Sequence, residues 1–202
     1  MIALSPIRKA ATLARRTAEA VSALRRDRRG VSAVEFALIL PLMVTLFLAT
    51  VETTQGLQAD RKVSLAARTL SDLSSQATVI SDTDMSNIMD ATADIIAPFA
   101  MTQAQVVVTG IQTDILGVSR VVWSDARNTT RYTCGQTMTV PTELKPLIGT
   151  TGFLVLAEVK YYYTPTVAYL ISGTVTLSDR LYTRPRIGET VSRTPSQGAG
   201  CI

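Results

Sequence analysis

The chain has 202 residues, room for a leader, one membrane segment and one modest domain, and nothing in it requires a second core. Its formal net charge is +4, but in residues 1–30 Arg8, Lys9, Arg15, Arg16, Arg25, Arg26, Arg28 and Arg29 stand against Glu19 and Asp27. The basic excess therefore belongs to the leader and points to a cytoplasmic flank more than to nucleic acid. The absence of histidine removes the commonest general base and the commonest metal ligand.

From Val31 to Val51 the only charge is Glu35. As a helix this run spans about 31 Å, close to the hydrocarbon thickness of a bilayer. Pro41 lies inside it, and membrane helices tolerate proline better than soluble ones. With Arg25–Arg29 held in the cytoplasm, everything after Glu52 faces outward. A secretory signal peptide is disfavoured because no clean small-x-small site follows the apolar core. A buried soluble helix is disfavoured by the length of the run and its basic flank. An uncleaved membrane anchor stays open. Glu35 bears on the choice, because a carboxylate at mid-depth costs about 2.5–3.5 kcal/mol, less near an interface, and normally has a partner.

Beyond the membrane the helix continues. Gly56, Ala59, Val63, Ala66, Leu70, Leu73 and Ala77 recur at spacings of three and four, a stripe of mostly small residues. It packs on the domain's own sheet or on a partner helix, with the former favoured, and Arg61, Lys62 and Arg68 fall off it as solvated residues. A second helix is expected from about Asp82 to Ala97, capped by Ser81 or Asp82 and ended by Pro98. Asp82, Asp84 and Ser86 imitate the start of a calcium loop, but Asn87 replaces the turn glycine and Ala93 the last carboxylate. The acids fit a helix N-terminus instead.

The period then changes to two. Residues 105–113 and 120–125 read as strands around a turn near Gly117. Phe153, Val155, Ala157, Val159, Tyr161 and Tyr163 share one face of a third strand, opposite polar Glu158 and Lys160. Residues 175–182 make a fourth. Residues 128–152 form a long loop with a short helical turn near 143–147, and residues 184–202, rich in Arg, Pro, Gly and Ser, read as a mobile tail. The sequon at Asn128 is a short pattern with many chance occurrences. Trp123 reads as a core or interface residue. Gly149-Thr150-Thr151-Gly152 lacks the lysine of a phosphate loop, and no serine has a histidine or S-x-x-K partner. No catalytic set is expected, nor a cofactor, a metal, nucleic acid or a small-molecule substrate. Cys134 and Cys201 lack metal-site spacing, and if their region is exported a disulfide between them is an option that spacing alone does not decide.

The string G-V-S-A-V-E-F at 30–36 resembles the processing site of type IV pilin-like precursors. The longer RRGVSAVEFALILPLMVTLFLATVE resembles the N-terminal signature of TadE-like and TadG-like proteins of the tight-adherence (Flp) pilus system. Gly30, Glu35, Phe36, Pro41 and Glu52 fall where that family places them. RKVSLAARTLSDLSSQ is similar to the family's helix extension, and YYYTPTVAYLISGTVTLSDRL more loosely to its C-terminal sheet. The chain is too short for the large insertion of many TadG-like proteins, which favours a small TadE-like form. The resemblance implies that a prepilin peptidase cuts on the cytoplasmic side between Gly30 and Val31, and that Glu35 then pairs with the amino terminus of an adjacent subunit.

The expected fold is α+β: an N-terminal transmembrane helix extended outward, a second helix and a small antiparallel sheet. Its parts are a basic leader (1–30), a transmembrane helix (31–51), an exported pilin-like domain (52–183) and a mobile tail (184–202). The expected role is that of a non-enzymatic, processed minor pilin-like component for pilus assembly. It would sit in the inner membrane with a periplasmic C-terminal domain, or be associated with the pilus, and its partners would be the membrane, the peptidase, other pilins and assembly proteins. The alternative is an uncleaved single-span anchor presenting a periplasmic binding domain.

Overall fold

A computed structural model describes residues 19–23, 30–165 and 173–194. The chain divides into two compact units, one ending at Thr50 and the other beginning at Val51. Helix α1 (Val31–Ser75) contributes to both.

In the first unit α1 starts directly after the turn residue Gly30, whose carbonyl accepts from the Val34 N–H at 3.1 Å. Pro41 cannot donate to the carbonyl four residues back, and α1 nevertheless continues through it. The hydroxyls of Thr45 and Thr50 are satisfied within the helix, donating to the carbonyls of Pro41 and Leu46 at 2.8 Å each. The stretch is apolar and long enough to cross a membrane, and none of its most apolar window is buried by protein.

The second unit is an α+β domain. Here α1 buries Ala59, Val63, Ala66 and Leu70 of the expected stripe, with Ala67 beside them, against the domain's own core; Gly56 and Leu73 are half-buried, and Ala77 lies beyond the end of the helix. After the short β1 (Val79–Ile80) comes helix α2 (Asp82–Ile96). It opens with a capping box: the Ser81 hydroxyl accepts from the Asp84 N–H, and the Asp84 carboxylate accepts from the Ser81 N–H at 3.0 Å. The Ser81 hydroxyl also donates to that carboxylate at 2.6 Å, and this bond first and the one from the Ser81 N–H second hold the Asp84 carboxyl below the usual carboxylate range. Asp82 and Asp84 thus serve the helix start, as the failed calcium pattern suggested.

Strands β2 (Ala104–Thr113), β3 (Ser119–Arg127), β4 (Gly152–Tyr163) and β5 (Val175–Thr183) form an antiparallel sheet in the order β3-β2-β4-β5. In β4 Phe153, Val155, Ala157, Val159, Tyr161 and Tyr163 all join the core shared with the helices. The opposite face differs from a plain polar one. Leu154 and Leu156 are buried there with Ile111 and Val140, because part of the 128–151 loop folds over it. Gly110 of β2 sits where β3 bulges at Val122, beside Trp123 and Phe153, and a Cβ there would come within 2.9 Å of Phe153 Cζ and closer still to the indole. Glycine makes this packing sterically feasible.

Two expectations need correction. Residues 184–194 are not a free tail. Strand β6 (Ser192–Arg193) pairs in parallel with β1, Val191 is buried, and its carbonyl accepts from Trp123 Nε1 at 2.7 Å. The Arg193 side chain, 4% exposed, lies 2.7 Å from Asp82 and 2.9 Å from Asp125, and Arg186 pairs with Asp72. Long-range contacts hold this strap where its composition offers no regular element. Residues 195–202 lie outside the described set. Lys62 is likewise not simply solvated: its Nζ donates to the carbonyls of Ile95 at 2.9 Å and Ala97 at 2.6 Å, satisfying the end of α2.

Candidate processing and assembly segment

A membrane peptidase needs an accessible bond, and the bond after Gly30 has that character. Gly30 is an exposed turn residue with open space around its missing side chain, and Val31 is the first helical residue. Helix geometry then places Glu35, the fifth residue of α1, just over one turn in. It is exposed, as are Phe36 (58%) and Pro41, and no described cation pairs with it. Around it Val34 and Leu38 are 61% and 76% exposed. Such side chains are not stable in water over this length and call for lipid or other apolar helices.

Glu52 has the opposite setting. It is 3% exposed, within the domain, beside Tyr163. Burial pushes the Tyr163 hydroxyl above its ordinary pKa, and the neighbouring negative charge of Glu52 pushes the same way. Phe99 packs edge-on against the rings of Tyr161 and Tyr163, with centroids 6.0 and 6.3 Å apart. One turn along α1, Gly56 lies against the Tyr163 ring. At the other end of the same helical stretch Ser71 donates to Thr183 Oγ1 at 2.6 Å. The segment after Glu52 is thus fixed to the sheet at both ends.

Of the motif residues Gly30, Val31, Glu35, Phe36, Pro41 and Glu52, Glu52 is the one placed against the domain core. Gly30, Val31, Glu35, Phe36 and Pro41 lie along the exposed helix and its start. Cys134 is half-buried at the turn after β3, where Gln136 N–H donates to the Thr133 carbonyl. Cys201, and with it the expected disulfide, lies outside the described residues. Asn128, the sequon residue, has a positive φ of 58° and donates to the carbonyls of Met101 and Ala104 at 2.9 Å each. Its amide is committed to the fold. Sequence reading missed Tyr163 as the partner of Glu52. The signal available was that a carboxylate on a helix packing against a sheet needs a buried donor, and Tyr163 was already on the inward face.

Compared with known families, residues 30–71 match the model described as TadE-like protein. No curated protein matches the chain, and no solved structure does. The matched stretch begins at the exposed glycine, contains Glu35, Phe36, Pro41 and Glu52, and ends at the serine that bonds to β5. The family is a structural one of pilus assembly. Over residues 30–71 this chain is similar to TadE-like proteins.

Proposed function

We propose that the chain is a processed minor pilin-like component for assembly of a tight-adherence, Flp-type pilus. One observation carries the reading. Inside the family match, an exposed glycine immediately precedes an uncovered apolar helix whose fifth residue is a carboxylate. In this reading the peptidase cuts after Gly30 on the cytoplasmic side and frees the α-amino group of Val31, which is protonated near neutral pH. Glu35 of one subunit then compensates the amino terminus of its neighbour, offsetting the desolvation of both and setting axial register. The domain from Val51 onward faces the periplasm and contacts other assembly proteins. A Cys134–Cys201 bridge would tie the C-terminal end to the loop after β3; two reactive thiols in freshly isolated protein would rule it out.

Processing is tested at the N-terminus. Protein extracted from membranes of cells with an active prepilin peptidase should begin Val-Ser-Ala-Val, and Gly30→Leu should keep the leader. An intact N-terminus in those cells would leave the uncleaved anchor with a periplasmic binding domain as the better account.

A further inference from the structure

The end of the sheet remote from Tyr163 is apolar on its outside. Ile115 and Leu116, in the turn between β2 and β3, are 55% and 79% exposed, and Leu147 and Ile148, in the loop before β4, are 83% and 89% exposed. Single exposed aliphatics are ordinary, but four on two adjoining loops mark a contact surface. The loops are well held. Asp114 Oδ1 accepts from the N–H groups of Leu116 and Val118, each at 2.9 Å. Gly149 N–H donates to the Ile115 carbonyl at 2.9 Å, and Lys145 Nζ to that of Gly117 at 3.4 Å. The aliphatic side chains therefore stand on a preformed support, which lowers the ordering cost of binding.

Together with the strap, these loops surround a cleft of about 980 Å³ lined also by Phe153 and Leu154. A flat lipid surface would not fill a concavity of this size, whereas a peptide segment would. The cleft's charge completes the argument. Lys145 and Arg184 line it against one carboxylate, Glu189, and no described carboxylate pairs with Arg184. We propose that this cleft docks an aliphatic segment of a partner protein that carries a carboxylate, the aliphatic side chains meeting Leu147 and its neighbours and the acid meeting Arg184. The proposal holds whether or not the leader is removed at Gly30.

The test uses the full chain in detergent. A random nonapeptide library displayed on phage is selected against it, with the Leu147→Asp variant as counter-selection, and selected peptides are synthesised and titrated by fluorescence anisotropy. Leu147 is so exposed that the variant should keep the thermal midpoint of the parent, which separates lost binding from lost folding. The expected result is a consensus of Leu, Ile or Val with Asp or Glu, bound at least about tenfold more weakly by Leu147→Asp. Arg184→Glu should move the preference from acidic to basic peptides. No consensus, a basic consensus, or affinity indifferent to Leu147→Asp would overturn the proposal. So would insertion of the loops into lipid, seen as quenching of a Leu116→Trp side chain by brominated phosphatidylcholine in proteoliposomes. Buried Trp123 is the unquenched control.

Discussion

The two stretches of α1 on either side of residue 51 invert the usual relation between apolarity and burial. Residues 31–50 are the more apolar, yet Val34, Phe36, Leu38 and Phe47 are 61%, 58%, 76% and 67% exposed. Residues 52–75 are richer in Ser and charge, yet Ala59, Val63, Ala66, Ala67, Leu70, Ser71 and Ser74 are buried. What separates them is the size of the side chain against the surface it must meet. Small residues let a helix approach a sheet closely, whereas large aliphatic ones suit a surrounding without fixed shape, as lipid is. The two carboxylates repeat the contrast: Glu52 is buried beside Tyr163, and Glu35 is exposed with no cation paired to it among the described residues.

The largest effect should come from breaking the outward-looking half. Glu35→Gln keeps shape and removes charge. Membrane insertion and removal of the leader should persist, while association with neighbouring pilins falls by about 3–5 kcal/mol, the usual cost of breaking a buried pair. Crosslinking and pilus counts read the outcome, and normal piliation would reject the pairing. A matched pair of substitutions sharpens the contrast of surroundings. Ala66→Leu should cost about 3 kcal/mol through overpacking against the sheet, whereas Ala37→Leu, on the exposed stretch, should leave the domain's unfolding midpoint unchanged. Urea titration followed by Trp123 fluorescence compares the two. Equal midpoints would mean that the sheet yields to side-chain size. Tyr163→Phe removes a buried hydroxyl that makes no hydrogen bond and should change stability by less than about 1 kcal/mol; a larger loss that disappears in a Glu52→Leu background would show that the two act as a pair.

The smallest effect tests the same tyrosine–carboxylate pairing at a more open site. Tyr132 donates to Glu158 at 2.6 Å, and Arg180 sits 2.5 Å from the same carboxylate. Burial, then the hydrogen bond to Glu158 and its charge, push the Tyr132 hydroxyl up to about 12. A raised folded pKa means that the neutral form is favoured by folding. Its contribution is complete below the ordinary tyrosine value near ~10 and fades as pH rises through the folded one. Tyrosinate absorbance should show a late-titrating group that is absent in Tyr132→Phe. A full set of tyrosines titrating at the ordinary value would contradict the burial argument.

Much of this fold is visible in local patterns. The alternation in 153–163, the stripe through Ala59, Val63, Ala66 and Leu70, and Ser81 before the acids of α2 each encode their element within a few residues. The helix start at Val31 and the motif around Glu35 were equally plain. What stayed hidden depends on partners distant in the chain. Arg193 is ordered by Asp82 and Asp125, Val191 by Trp123, and Glu52 by a tyrosine more than a hundred residues on, none of which leaves a periodic trace. Lys62 shows the same limit in miniature. Helical spacing correctly excluded it from the buried stripe, but could not reveal that its long side chain reaches the carbonyls that end α2.

The strap also has a consequence for timing. Trp123 finds its acceptor at residue 191, and β1 finds its neighbour at residues 192–193. A chain made from its N-terminus therefore holds an unfinished core until residues 191–193 arrive, with the indole and the edge of β1 open to whatever meets them first. The apolar stretch of α1, long enough to cross a membrane, is made long before that moment. Where that stretch enters a membrane, tethering precedes closure of the domain.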